Sequence, residues 1–227
     1  MKPRIALAPT LIALVLAVPA TAQAASLTVD RACYGLGDRI GLAGSGFTPN
    51  GPVALSADGQ QLGIGTVDGT GSFTFGEPAP VVESGQRFRT YTATDQTNIA
   101  LTASARARIS ALKVTVKPLQ GRPAAKRRIK ARGFTHGKTL WAHVKRGNKN
   151  RNLKIGKVKG ACGTLSVKKR LFKPDAATGI YEMRFDTKRK YSTTASQQYL
   201  FLFTVFPVFR PASASTLGVA EPFGRAG

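Results

Sequence analysis

Gly44-Ser45-Gly46-Phe47-Thr48-Pro49-Asn50-Gly51-Pro52-Val53-Ala54-Leu55 joins two apolar runs through glycines, one large aromatic side chain and a turn. Proline presets φ and Asn-Gly tolerates positive φ, so Thr48 to Gly51 is turn chemistry. Phe47, set between a strand end and that turn, is expected to fold inward as a core plug. A fainter copy recurs at Ala131-Arg132-Gly133-Phe134-Thr135-His136-Gly137-Lys138-Thr139-Leu140, which gives Phe134 the same role. Two copies predict two similar β units in tandem.

Working outward, the strand pattern is period two. Leu27 to Val29, Ile40 to Leu42, Val53 to Leu55, Leu62 to Ile64, Phe73 to Phe75, Phe88 to Thr94 and Leu112 to Val116 are short runs separated by turns such as Asp58-Gly59 and Asp68-Gly69-Thr70-Gly71. Seven short strands over one repeat fit an immunoglobulin-like sandwich. Three landmarks recur at nearly constant offset: Gly46-Phe47-Thr48 with Gly133-Phe134-Thr135, Asp95 with Asp186, and Val114 to Pro118 with Phe203 to Pro207. The last strand, from Tyr199 to Val208, is apolar on both faces and is expected to be central or covered.

The fold class is therefore all-β: two tandem immunoglobulin-like β-sandwich domains after a signal peptide. Lys2 and Arg4 precede a 14-residue apolar run from Ile5 to Val18, and Ala22-Gln23-Ala24 supplies a small-x-small cleavage site. That run is shorter than the ~20 residues that span a bilayer. The expected organisation is a signal peptide at 1–24, a first domain at 25–117, a linker at 118–123, a second domain at 124–210 and a loose tail at 211–227. The predicted location is secreted, extracellular or associated with the cell surface.

Export bears on Cys33 and Cys162, the two cysteines, which fall in different repeats. A bond between them staples the repeats together. The alternative is two thiols that never meet, because sequence does not show whether the Cα atoms come within ~7 Å.

The turn from Gly44, Gly46, Phe47 and Pro49, then Val53, Asp68, Gly71, Phe73, Pro78, Gly85 and Thr92-Ala93-Thr94, resembles the immunoglobulin-like modules of secreted and cell-surface actinobacterial proteins. The resemblance covers roughly residues 26–117. Repeat two keeps Gly133, Phe134 and Gly137 but has His136 where the proline stood. Such modules serve as spacers, adhesins or binding domains, so the resemblance implies a fold and leaves the function open.

Catalytic signals are weak. The histidines, His136 and His143, come without the three or four suitably spaced ligands that a metal needs. His143 reads as a surface side chain beside Trp141, and Cys162 sits in a glycine-flanked turn. No catalytic residue, cofactor site or small-molecule substrate is evident, and the chain is read as not an enzyme.

Charge is the informative feature. The chain carries 34 Lys+Arg against 11 Asp+Glu, a net +23. Residues 25–105 hold four basic side chains against seven acids, whereas residues 106–227 hold 28 against four. Such segregation points to a polyanionic partner rather than to general solubility. Arg128, Lys130 and Arg132 alternate with Ile129 and Ala131, and Lys168 and Arg170 with Val167 and Leu171. If the two segments are the second and fifth strands of a sandwich, they are neighbours and five cations share one outer face. The first function reading is a secreted, non-catalytic module whose basic second domain binds an anionic cell-envelope polymer or surface. The alternative is a structural or adhesive module with a protein partner. A more remote one is an unrecognised hydrolase.

Overall fold

The computed structural model describes residues 24–206, so the expected signal peptide and the tail at 211–227 lie outside the described residues. Fourteen strands follow in order: β1 Ser26–Val29, β2 Arg39–Ser45, β3 Pro52–Ala57, β4 Gln60–Thr66, β5 Phe73–Pro78, β6 Gln86–Asp95, β7 Thr102–Ser110, β8 Lys113–Lys117, β9 Lys126–Arg132, β10 Thr139–Arg146, β11 Lys149–Lys157, β12 Leu165–Arg170, β13 Gly179–Asp186 and β14 Tyr199–Val205. No helix occurs among the described residues.

The strands form sheets β1-β2-β5 and β4-β3-β6-β7, then β8-β9-β12 and β11-β10-β13-β14. Adding seven to each strand number converts the first pair of sheets into the second. Every strand pairing is antiparallel. Each three-stranded sheet faces a four-stranded one across its own apolar core, the immunoglobulin-like arrangement. Tyr34, Ile40, Leu42, Val53 and Tyr91 belong to one core. Ile129, Leu140, Met183, Phe185 and Phe203 belong to the other.

Alternation accounts for the cores. In β2, Ile40 and Leu42 point inward while Arg39 and Ser45 stay outside. In β9, Ile129 and Ala131 point inward between Arg128, Lys130 and Arg132. Phe47 and Phe134 are both buried, as the turn chemistry predicts. Burying such a side chain is worth roughly 1.5–3 kcal/mol. The preceding glycines are equivalent too, with φ of 79° at Gly46 and 80° at Gly133. At Gly133 an added Cβ would also stand 2.5 Å from the Ala111 carbonyl oxygen, so glycine is required there by space as well as by φ.

Several expectations are corrected. Lys113–Lys117 is not the closing strand of the first sandwich; it is β8, paired with β9, and Val114 and Val116 are buried in the second core. Only Ala111 and Leu112 separate the last strand of the first sandwich from the first strand of the second, and residues 118–123 lie in the loop that turns β8 back onto β9 rather than in a linker. The first sandwich is closed by β7, which the strand pattern of the sequence does not reveal. The third landmark also fails, since Val114 to Pro118 begins its sandwich and Phe203 to Val205 ends it.

The last strand is an edge rather than a centre. β14 pairs only with β13, and its outward Leu200 and Leu202 are exposed. Asp95 and Asp186 do close equivalent strands, but they face differently. Asp95 shares the inward side with Tyr91 and Ala93, whereas Asp186 follows the inward Phe185 and points to the outer face.

Candidate functional site

The outer face of sheet β8-β9-β12 carries a dense share of the basic side chains. Arg128 lies between Lys117 of β8 and Lys168 of β12, Lys126 opposes Arg170, and Arg132 opposes Lys113. Lys130 stands between Thr115 and Ser166. All five cations expected to share a face, Arg128, Lys130, Arg132, Lys168 and Arg170, do so. Lys113, Lys117 and Lys126 join them, making eight.

The local reason is the strand period. Each inward Val, Ile or Ala forces its neighbour outward, and here nearly every outward position is Lys or Arg. Lys113 and Lys117 are not expected on this face from sequence, because their strand reads as part of the other sandwich. No carboxylate stands on these strands, and none of the eight cations makes an ion pair among the described residues.

Like charges directly opposite on neighbouring strands destabilise a sheet. Rows along this face are two residues apart, about 7 Å. The central row carries the short Thr115 and Ser166 on either side of Lys130, with rows of long cations beyond, so the face is hollowed beside Lys130. One groove of about 670 Å³ runs along Lys113, Thr115, Lys130, Arg132, Lys159 and Ser166. A second of about 330 Å³ adjoins it, lined by Thr115, Lys117, Arg128 and Lys130. Hydroxyls on the floor and ammonium or guanidinium groups on the walls suit an oxyanion that accepts several hydrogen bonds.

A second cluster joins the sandwiches. Cys33 and Cys162 form a disulfide with Cα atoms 5.2 Å apart, which resolves the open alternative in favour of the bond. Around it, Asp38 is buried and accepts from Gly35 N–H (2.6 Å) and the Thr135 hydroxyl (2.8 Å). His136 Nε2 also meets Asp38, and Arg31 pairs with it at 3.2 Å. Burial alone raises the Asp38 pKa, but the Gly35 and Thr135 donors, with His136 and Arg31, bring it below 3.8. Gln197 is buried here, donating to Thr135 Oγ1 (2.7 Å) and to the Leu36 carbonyl (3.4 Å).

His143 is not the surface side chain expected. It lies on the outer face of the four-stranded sheet yet is fully buried, with the Tyr191 ring edge-on at 5.8 Å. Nδ1 meets Asn152 Oδ1 at 2.7 Å and Nε2 meets Asp186 Oδ1 at 3.1 Å. Burial opposes its charge, but Asp186 and Asn152 outweigh burial and raise its pKa above 6.5. Both ring nitrogens are occupied, so the imidazole holds the β10, β11 and β13 strands together instead of serving as a free base.

No protein-family model and no curated protein matches the chain. Among solved structures, the tetra-tandem repeat in the extending region of a large adhesion protein matches at 16% identity and TM-score 0.29, over 81% of this chain and 49% of that one. The chain thus spans about half the length of that structure. The human OSCAR ligand-binding domain matches at 13% identity and TM-score 0.36, over 79% of this chain and 97% of that one. The immunoglobulin-like assignment rests on the chain's own strand order.

Proposed function

We propose that the protein is a secreted, non-catalytic binding module whose C-terminal sandwich docks on an anionic envelope polymer through the outer face of β8-β9-β12. The observation that carries this reading is the row of eight cations on three adjacent strands with no carboxylate among them. In the free protein they repel one another at no gain to folding. A polyanion relieves that repulsion and releases its own counterions on binding. The Cys33–Cys162 bond fits an oxidising compartment outside the cytoplasm, as does the expected leader.

The experiment is retention on isolated envelope polymer as a function of salt, for the natural protein and for Arg128→Glu/Lys130→Glu/Arg132→Glu. Natural protein should dissociate steeply with salt. The log–log slope should flatten with every polymer charge that the variant no longer neutralises. Retention that survives the triple reversal, or never responds to salt, overturns the reading.

A protein partner is the second reading. It is favoured by exposed Ile180, Leu200 and Leu202 on the outer face of β13 and β14. Binding through that apolar surface would be insensitive to salt and to the triple reversal, which separates the two.

A further inference from the structure

Arg127 is a charge without a counter-ion. It is fully buried on the inward side of β9, and no carboxylate among the described residues pairs with it. Its guanidinium donates to the carbonyls of Gly121, Arg122, Pro123 and Ala125 at 3.2–3.5 Å, and its Nε has no partner. Burial depresses its pKa from the usual 12.5. A buried cation with no opposite charge is costly, and its field is weakly screened in the low-dielectric interior.

That field reaches a cavity. The Arg127 Cζ lies 5.2 Å from the Phe172 ring centroid, and Phe172 lines a cavity of about 340 Å³ between the β10–β11 hairpin and the loop after β12. Phe172 and Tyr181, largely buried and edge-on to each other at 5.0 Å, present a narrow apolar strip at its base, backed by the fully buried Leu171. Its rim is cationic, with Arg146, Lys149, Arg151 and Lys173, and holds a single carboxylate, Asp175; Arg146 stands 5.4 Å from the Tyr181 ring centroid. Arg151 is tethered by its bond to the Leu171 carbonyl (3.4 Å), which fixes its guanidinium beside the opening. Asp175 makes no ion pair with that rim, so the excess is positive.

We propose that this cavity is a second binding site, for a small organic anion. A small apolar body lies against the accessible strip of Phe172 and Tyr181, and its phosphate or carboxylate sits between Arg151 and Lys173. The volume is at the small end of small-molecule sites. The site shares no lining residue with the grooves of the basic face, so it stands or falls independently of the polymer-binding role.

The test is calorimetric titration of the protein with phenyl phosphate, benzoate, inorganic phosphate and phenol. Saturable one-site binding of phenyl phosphate or benzoate is expected, at least about tenfold tighter than inorganic phosphate or phenol. Arg151→Gln/Lys173→Gln should weaken it by about tenfold or more, whereas Arg128→Glu/Lys130→Glu/Arg132→Glu leaves it in place. Arg127→Met should weaken it as well; should that variant fail to fold, the rim pair decides. Binding no tighter than that of inorganic phosphate, absence of saturation, or binding abolished by the strand β9 variant and kept by the rim pair overturns the proposal.

Discussion

The hydroxyl of Thr135 donates to Oδ2 of Asp38 at 2.8 Å, across 97 residues of sequence and from one sandwich to the other. The same Asp38 oxygen accepts from Gly35, and its other oxygen meets His136 and Arg31. The buried carboxylate is therefore a shared anchor for both sandwiches. Removing the donor with Thr135→Val should cost about 1.5–3 kcal/mol near neutral pH. A folded pKa below 3.8 means that the contribution is present above 3.8 and is lost as pH falls through the depressed value. Denaturation from about pH 6 down to about pH 2.5 should show the gap closing in acid. A gap that stays constant refutes the anchor.

The Cys33–Cys162 bond closes a long loop, at a separation of 129 residues. Replacing both with serine should destabilise the protein by about 2–4 kcal/mol, read from denaturant midpoints. An unchanged midpoint would mean that the bond does not form in solution.

Phe134→Ala should cost about 3–5 kcal/mol, and Phe47→Ala the same, since each empties a fully packed position. The two lie in separate cores, so the double variant should show nearly additive losses. Thermal melts of the three variants test this, and a marked departure from additivity would say that the cores are coupled.

His143→Gln removes a buried group whose folded pKa is raised above 6.5. The stability that the ion pair supplies is fully present below 6.5 and is lost as pH rises through the raised value. The advantage of the natural protein over the variant should shrink between about pH 5 and about pH 9 in urea melts. An advantage that grows with pH contradicts the pairing with Asp186.

The sequence makes some of this legible and hides the rest for identifiable reasons. Phe47 and Phe134 are readable because a glycine before and a turn after leave an aromatic only one place to go. The five cations are readable because Arg128, Ile129, Lys130, Ala131 and Arg132 alternate strictly. Strand β7 is not, because three of its four inward positions are Ala103, Ala105 and Ala107, whose small side chains give little strand signal beside the single Ile109. Without β7 the domain boundary shifts, and Lys113 and Lys117 drop out of the basic face. The burial of His143 is hidden because its cover, Tyr191, comes from a loop whose path no local pattern specifies. The apolar alternation of β14 does not distinguish a covered strand from an edge with an exposed face.

The bridge between Cys33 and Cys162 also determines how the protein carries load. Cys33 follows β1, and Cys162 precedes β12. Tension applied at the two ends enters near β1, crosses the sulfur–sulfur bond and leaves through β12, β13 and β14. The 129-residue stretch between the cysteines is short-circuited, and at about 3.5 Å per residue roughly 450 Å of chain cannot be drawn out by pulling. One face of the basic sheet then divides mechanically: strands β8 and β9 are shielded, while β12 bears the force.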